Sequence, residues 1–188
     1  MTLDSDQLIV AGTGEVYVAP VGSTAPSGAT ALSGAWDAAW TGLGLTSEDG
    51  VQFSDTPEIT DINAWQSQYP VRKIIGTRAN EVSFTLMQWN QATVSLAFGG
   101  GTWTEPSTDI FRYAPPGAGE LDERALGVEW EDGDYTYRLI IPKGVVTGGV
   151  EFGLTRTDAA QLPITFSTTP TGTGDAWYLF TDDPELGA

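Results

Sequence analysis

Two short runs of alternating apolar and polar residues, 50–54 and 81–86, bracket a stretch that behaves neither as a loop nor as a linker. A period of two sets Val51 and Phe53 on one face and Gln52 and Ser54 on the other. It does the same for Val82, Phe84 and Leu86 against Glu81, Ser83 and Thr85. Each run is therefore expected as a strand that buries one face. Residues 55–78 between them carry isolated large side chains (Ile59, Ile62, Trp65, Tyr69, Val71, Ile74, Ile75) among charges. This stretch is too long for a hairpin loop and too apolar for a free linker, so it is expected as an arm that seeks a partner surface. The arm starts acidic (Asp55, Glu58, Asp61) and ends basic (Arg72, Lys73, Arg78), holding three of the chain's 8 basic residues. Opposite charges at separate places suit a head-to-tail contact, which propagates instead of closing as a two-fold dimer. An internal hairpin that pairs its own charges fits the same pattern. Trp65, Ile62 and Ile74 are the expected buried anchors of an interface.

The remaining strands follow the same period. Residues 15–19, 110–113, 125–131, 134–141, 150–154, 162–166 and 176–181 bring the expectation to about nine, with an Asp132-Gly133 turn and a stop at Pro142. One short helix is expected over 91–98, capped by Asn90 and ended at Gly99. The fold class is mainly β, a sandwich or barrel with one flanking helix. With 188 residues and no linker-like break, the chain reads as one domain, 1–188. Within it lie an N-terminal segment 1–12, a flexible Gly/Ala/Ser/Thr loop 20–35 and the assembly arm 55–78. No apolar run approaches the roughly 20 residues that span a bilayer, and the acidic start lacks a secretory pattern, so a soluble protein without membrane insertion is expected.

On four of the expected strands the face opposite the apolar one is short, polar and weakly acidic: Gln52 and Ser54; Glu81, Ser83 and Thr85; Glu151 and Thr155; Thr165 and Ser167. A smooth, water-filled channel wall needs such a surface, because long basic side chains would grip a phosphate backbone. An ordinary solvated sheet face has the same pattern. The other strand group is expected to turn bulkier residues outward: Arg112, Trp130, Tyr135, Tyr137 and Arg138. A formal charge of -17 disfavours general attraction to nucleic acid or anionic membranes; solubility or salt adaptation also accounts for it.

The chain has no histidine and no cysteine, which removes the usual general base, the nucleophilic triads, thiol chemistry and most zinc sites. Glu129, Glu131, Asp132 and Asp134 cluster around a hairpin turn. They read as a solvated tip, with calcium binding or a glycosidase pair as the alternatives. No catalytic residue, cofactor or metal is assigned. A carbohydrate-binding sandwich is the rival from another class. It would show two or three aromatics on one exposed strand face, whereas Trp36, Trp40, Trp65, Trp89, Trp103, Trp130 and Trp177 are scattered.

Residues 11–22, 43–51, Trp65-Gln66-Ser67 with Pro70-Val71-Arg72, 129–133 and 162–166 resemble the major tail tube proteins of long-tailed bacteriophages, in particular those of GC-rich hosts. The resemblance covers most of the chain and favours the flexible, non-contractile type. It implies hexameric rings stacked into a tail tube, a sandwich core with a flanking helix, and inner sheets that join into one barrel around the lumen. It also implies an arm that reaches a neighbouring subunit or ring, and DNA passing an acidic wall without sequence-specific binding. Implied partners are other copies of the chain, a tape-measure protein in the lumen during assembly, and a tail terminator and a distal tail protein at the ends. The implied location is the virion, after assembly in the host cytoplasm. A capsid-decorating virion protein is a further reading with the same fold class.

Overall fold

In the computed structural model, which describes residues 8–27, 31–172 and 174–187, the alternating runs become strands of a mainly β, sandwich-like fold with one flanking helix. The strands are β1 (Thr13–Pro20), β2 (Thr41–Gly42), β3 (Thr46–Ile62), β4 (Arg72–Leu86), β5 (Thr102–Ser107), β6 (Ile110–Ala114), β7 (Arg124–Asp132), β8 (Tyr135–Val146), β9 (Leu162–Thr168) and β10 (Tyr178–Thr181). The helix α1 (Gln91–Ala97) follows β4. One antiparallel sheet runs β2-β1-β7-β8-β9-β4-β3, with β10 also on β8, and β5 and β6 form a separate ribbon.

The long sheet turns back on itself at β8, which belongs to both layers. Its first part pairs with β7, while Gly144, Val145 and Val146 pair with Thr168, Ser167 and Phe166 of β9. Pro142, expected to end the strand, instead sits at this change of partner, beside a register irregularity between Arg124 and Leu126. A proline lacks the ladder N–H and is tolerated where the pairing is already interrupted. Gly144 has no room for a side chain: a Cβ there would lie 2.3 Å from the Phe166 ring and 2.5 Å from the Ser167 carbonyl. The main core fills the fold, with Val16, Leu126, Val128 and Ile141 meeting Val82, Phe84, Leu86, Ile164 and Phe166. Val94 and Leu96 of α1 join that core. Asn90 caps the helix: its Oδ1 accepts from the Thr93 amide at 3.0 Å, and Thr93 Oγ1 accepts from the Asn90 amide at 2.9 Å. This is a reciprocal capping pair.

The opposite face of β1-β7-β8 is also covered, which corrects the expected bulky outer face. On that outer face Arg138 is buried beneath the loop 20–35, while Tyr137 points to the core side and is buried there against Trp130; Tyr135 and Arg112 are exposed, as expected. That loop, expected to be flexible, is tethered in its described parts. Arg138 donates to the carbonyls of Ala31 and Gly34 at 2.8 Å each, and Trp40 Nε1 donates to the Thr24 carbonyl at 2.9 Å. Trp36 stacks on Tyr17 and lies over Gly127, where a Cβ would come within 2.4 Å of its ring.

Four element boundaries also differ from expectation. Residues 150–155 alternate but form no strand, because Gly144–Val146 and then the Thr147 amide occupy the edge of β9. Phe152 instead packs edge-on against Trp89. The ribbon strand β5 was not expected. Pro106 lies inside it, within the register irregularity between Thr104 and Ser107, where no ladder bond is required. The two-residue connection from β7 to β8 is Gly133-Asp134, and β10 begins at Tyr178.

Candidate functional site

Seven of the nine residues expected on a short polar face do share one face of β3, β4 and β9. Gln52 stands opposite Ser83, and Ser83 opposite Thr165; Ser54 stands opposite Glu81, and Glu81 opposite Ser167. Thr85 stands opposite Pro163. Antiparallel partners in register point to the same side, so these rows form one surface three strands wide, with β4 in the middle. The face is accessible to solvent, as Gln52, Ser54 and Glu81 are exposed and Ser83, Thr85, Thr165 and Ser167 are half-buried. Glu151 and Thr155 lie off the sheet. Glu151 still lines a shallow cleft with Thr85 and Pro163, but Thr155 bonds within its own loop, where its Oγ1 accepts from the Asp158 amide at 3.0 Å.

The arm is not an irregular excursion: β3 and β4 run on past the sheet as a two-stranded ribbon. Beyond Asp55 and Asn80, the ribbon pairs Thr56 with Ala79 and continues to Ile62 opposite Arg72. One irregularity interrupts it. Between Pro57 and Ile59 the partner moves from Arg78 to Ile75, so β4 carries an extra residue, and such a bulge sharpens the local twist. Acidic outgoing and basic returning strands thus lie side by side. Lys73 pairs with Asp61 at 2.9 Å, Arg78 with Asp55 at 3.4 Å, and Thr77 Oγ1 donates to Glu58 at 2.8 Å. Of the two readings of this charge pattern, the internal hairpin that pairs its own charges is the one the fold shows, because the return strand brings the two ends together. These exposed pairs are worth about 0–1 kcal/mol each. Arg72, at the outer end, has no such partner among the described residues.

Apolar side chains remain uncovered along the whole arm. Ile59, Ile62, Tyr69, Val71, Ile74 and Ile75 are exposed, and Trp65 at the tip is 100% exposed. The tip is nevertheless shaped by its own bonds. Val71 donates its amide to the Ile62 carbonyl, Ser67 donates its amide to the Ala64 carbonyl, and Ser67 Oγ donates to the Tyr69 carbonyl. Asn80 Nδ2 at the arm's root and Ser47 Oγ near the start of β3 are buried without a hydrogen-bond partner among the described residues.

Beside that root the two ends of the sheet leave an opening. It is a groove of about 500 Å³ lined by Gly12, Gly14, Val51, Phe53, Val128 and Trp130 among others. A second cleft, sharing Thr13, Gly14, Thr46 and Trp130, continues it past Glu15 and Glu131. Sequence reasoning missed this groove, since it arises from two stretches far apart in the chain. It also missed the exposed apolar residues Leu8, Ile9 and Val10, and Ile110 and Phe111 on the ribbon. The carboxylates around the β7–β8 turn do not act together. Glu129 is drawn to the opposite side by Arg138 at 2.5 Å and by Trp36 Nε1 at 2.8 Å, and Asp132 accepts the Val10 amide. Among the described residues no cluster of carboxylates could hold a metal ion.

Comparison with known proteins gives three results. A family model described as "Phage tail tube protein" matches residues 1–188. No curated protein matches the sequence. Among solved structures, the tail of an empty gene transfer agent particle, refined with helical C6 symmetry, aligns at 10% identity and a TM-score of 0.41. That alignment covers 72% of this chain and 85% of the other. A chain from the virion of a native gene transfer agent particle aligns at 13% identity and a TM-score of 0.37, covering 65% and 79%.

Proposed function

The chain belongs to the phage tail tube protein family, whose role is structural, and from that premise we propose how its geometry serves a tube. Copies of the chain join head to tail into hexameric rings, which stack into a non-contractile tail tube of the virion. The sheet β3-β4-β9 faces the lumen, and the arm spans to a neighbouring subunit or ring. Viral DNA passes the wall during ejection without sequence-specific contact. During assembly in the host cytoplasm the lumen holds a tape-measure protein, and a terminator and a distal tail protein close the two ends.

The observation that carries this reading is the pair of registered rows, Gln52-Ser83-Thr165 and Ser54-Glu81-Ser167, which contain no basic side chain. A phosphate backbone sliding past short hydroxyls and a carboxylate finds no cation to pair with, so passage is not slowed by ion pairing. The outer edge of β3 supports the same reading. Among the described residues β3 pairs only with β4, which leaves its other edge free to extend the sheet into the next subunit.

Negative-stain electron microscopy of the purified chain across a concentration series tests the assembly. Rings or tubes with a central hole are the expected result. A chain that stays monomeric at every concentration, and also with the tape-measure and distal tail proteins added, counts against it.

A further inference from the structure

The arm tip needs a receptacle, and its own fold cannot supply one. β3 leaves the groove at Val51 and Phe53 and runs out to Ile62 before the tip, a distance of roughly 30 Å at about 3.3 Å per residue. The tip is therefore held far from the groove of its own chain, and a groove that receives it belongs to another copy. Resting on the self-assembly reading above, we propose that the groove beside the arm's root is the socket for the arm tip of a second copy.

Three properties match tip to socket. The groove floor is apolar, with Val51, Phe53, Val128 and Trp130, and the tip presents one fully exposed indole, Trp65. An aromatic side chain removes about 150–250 Å² from water when it is covered, and such residues dominate interface energetics. Glu48 lines the groove edge and Glu131 the cleft that continues it, so the rim carries carboxylates. The tip carries Arg72, a cation with no ion-pair partner among the described residues of its own chain. In a chain of net charge -17, an unpaired arginine at the one apolar tip is well placed to offset repulsion between copies. Tip and socket are also different places on the chain, so each copy gives one contact and takes one, and the contact propagates.

The chain has no cysteine, which makes engineered cross-linking specific. Thr13 lines the groove and Gln66 sits at the tip, both exposed. Tubes of the Thr13→Cys, Gln66→Cys double variant, mildly oxidised and run on a non-reducing denaturing gel, are expected to give a ladder of dimer, trimer and higher species. Either single variant is expected to give none beyond a dimer. Tubes that are intact by microscopy but yield no ladder overturn the proposal while leaving tube assembly standing. A strong dimer from Thr13→Cys alone, with no ladder from the double variant, means that groove meets groove, and also overturns it. The second arm of the test is Arg72→Glu, expected to raise the critical concentration for assembly about tenfold, the scale of one good interfacial charge pair. A critical concentration within twofold of the parent chain overturns the proposal. Parent chains that never form tubes remove the assembly reading and the socket together.

Discussion

Arg138 shows how a single residue can reverse what alternation implies. Period two identifies two faces of β8 but not whether a distant loop lies on the second, so Arg138 reads as solvent-facing in the sequence. In the fold it is buried, holding Glu129, two loop carbonyls and the face of Trp36 at 5.2 Å. Arg138→Ala leaves the Glu129 carboxylate without its cation and is expected to cost about 3–5 kcal/mol, measured by urea unfolding. Arg138→Lys restores charge but not the forked donors, and is expected to recover only part of that loss. Tyr137 gives a pH signature. Its hydroxyl donates to Asp183 Oδ2 at 2.7 Å, and this bond, with burial and the nearby carboxylate charges, pushes its pKa up to about 12 from 10.0. Burial, reinforced by Glu15, also raises Tyr17. A tyrosine pKa raised by folding adds stability that is complete below pH 10 and is lost as the pH climbs through about 12. Tyrosinate absorbance is therefore expected to rise together with loss of tryptophan burial in that window. Tyr137→Phe is expected to flatten the stability curve there; an unchanged alkaline transition would refute the assignment.

At the scale of elements, the arm was legible as a sticky projection, with a self-paired hairpin as one of two readings of its charges, but its pairing register was not legible. Its apolar residues are spaced by strand pairing on both faces, with a bulge breaking the period midway, so no single face reads as buried. The outcome is a two-stranded projection with a shaped tip, and Trp65→Ala is expected to leave folding unchanged by circular dichroism and denaturation while abolishing tubes in electron micrographs. Full-length tubes from that variant would remove the arm from the interface. The helix was legible to within one residue because Asn90 and Thr93 cap it locally. Residues 150–155 misled for the opposite reason: their alternation is real, but a strand also needs a free neighbour, and β8 already occupies that place on β9. Pairing partners are a non-local property, and the sequence carries no local mark of them.

For the whole molecule, the fold class and the polar face were legible because both rest on period two, which side-chain alternation writes directly. The groove was not, since Gly12 and Gly14 meet Val51 and Phe53 only after the sheet has turned at β8. Net charge acts on the same scale. Copies that each carry -17 repel over about 10 Å at 0.1 M salt and over about 3 Å at 1 M. Raising salt across that range is expected to lower the critical concentration for assembly, followed by sedimentation. An increase instead would mean that specific ion pairs outweigh the general repulsion. The continuity of β3 and β4 from sheet to arm has a mechanical consequence. Tension applied at the tip enters the body along the strand direction, as shear on the registered pairs of β4 and β9 from Glu81 to Leu86. All rungs of that ladder share such a load, whereas peeling would break them one at a time. In the proposed tube, arms loaded in this way would resist stretching, and bending would be taken up at the contacts between subunits.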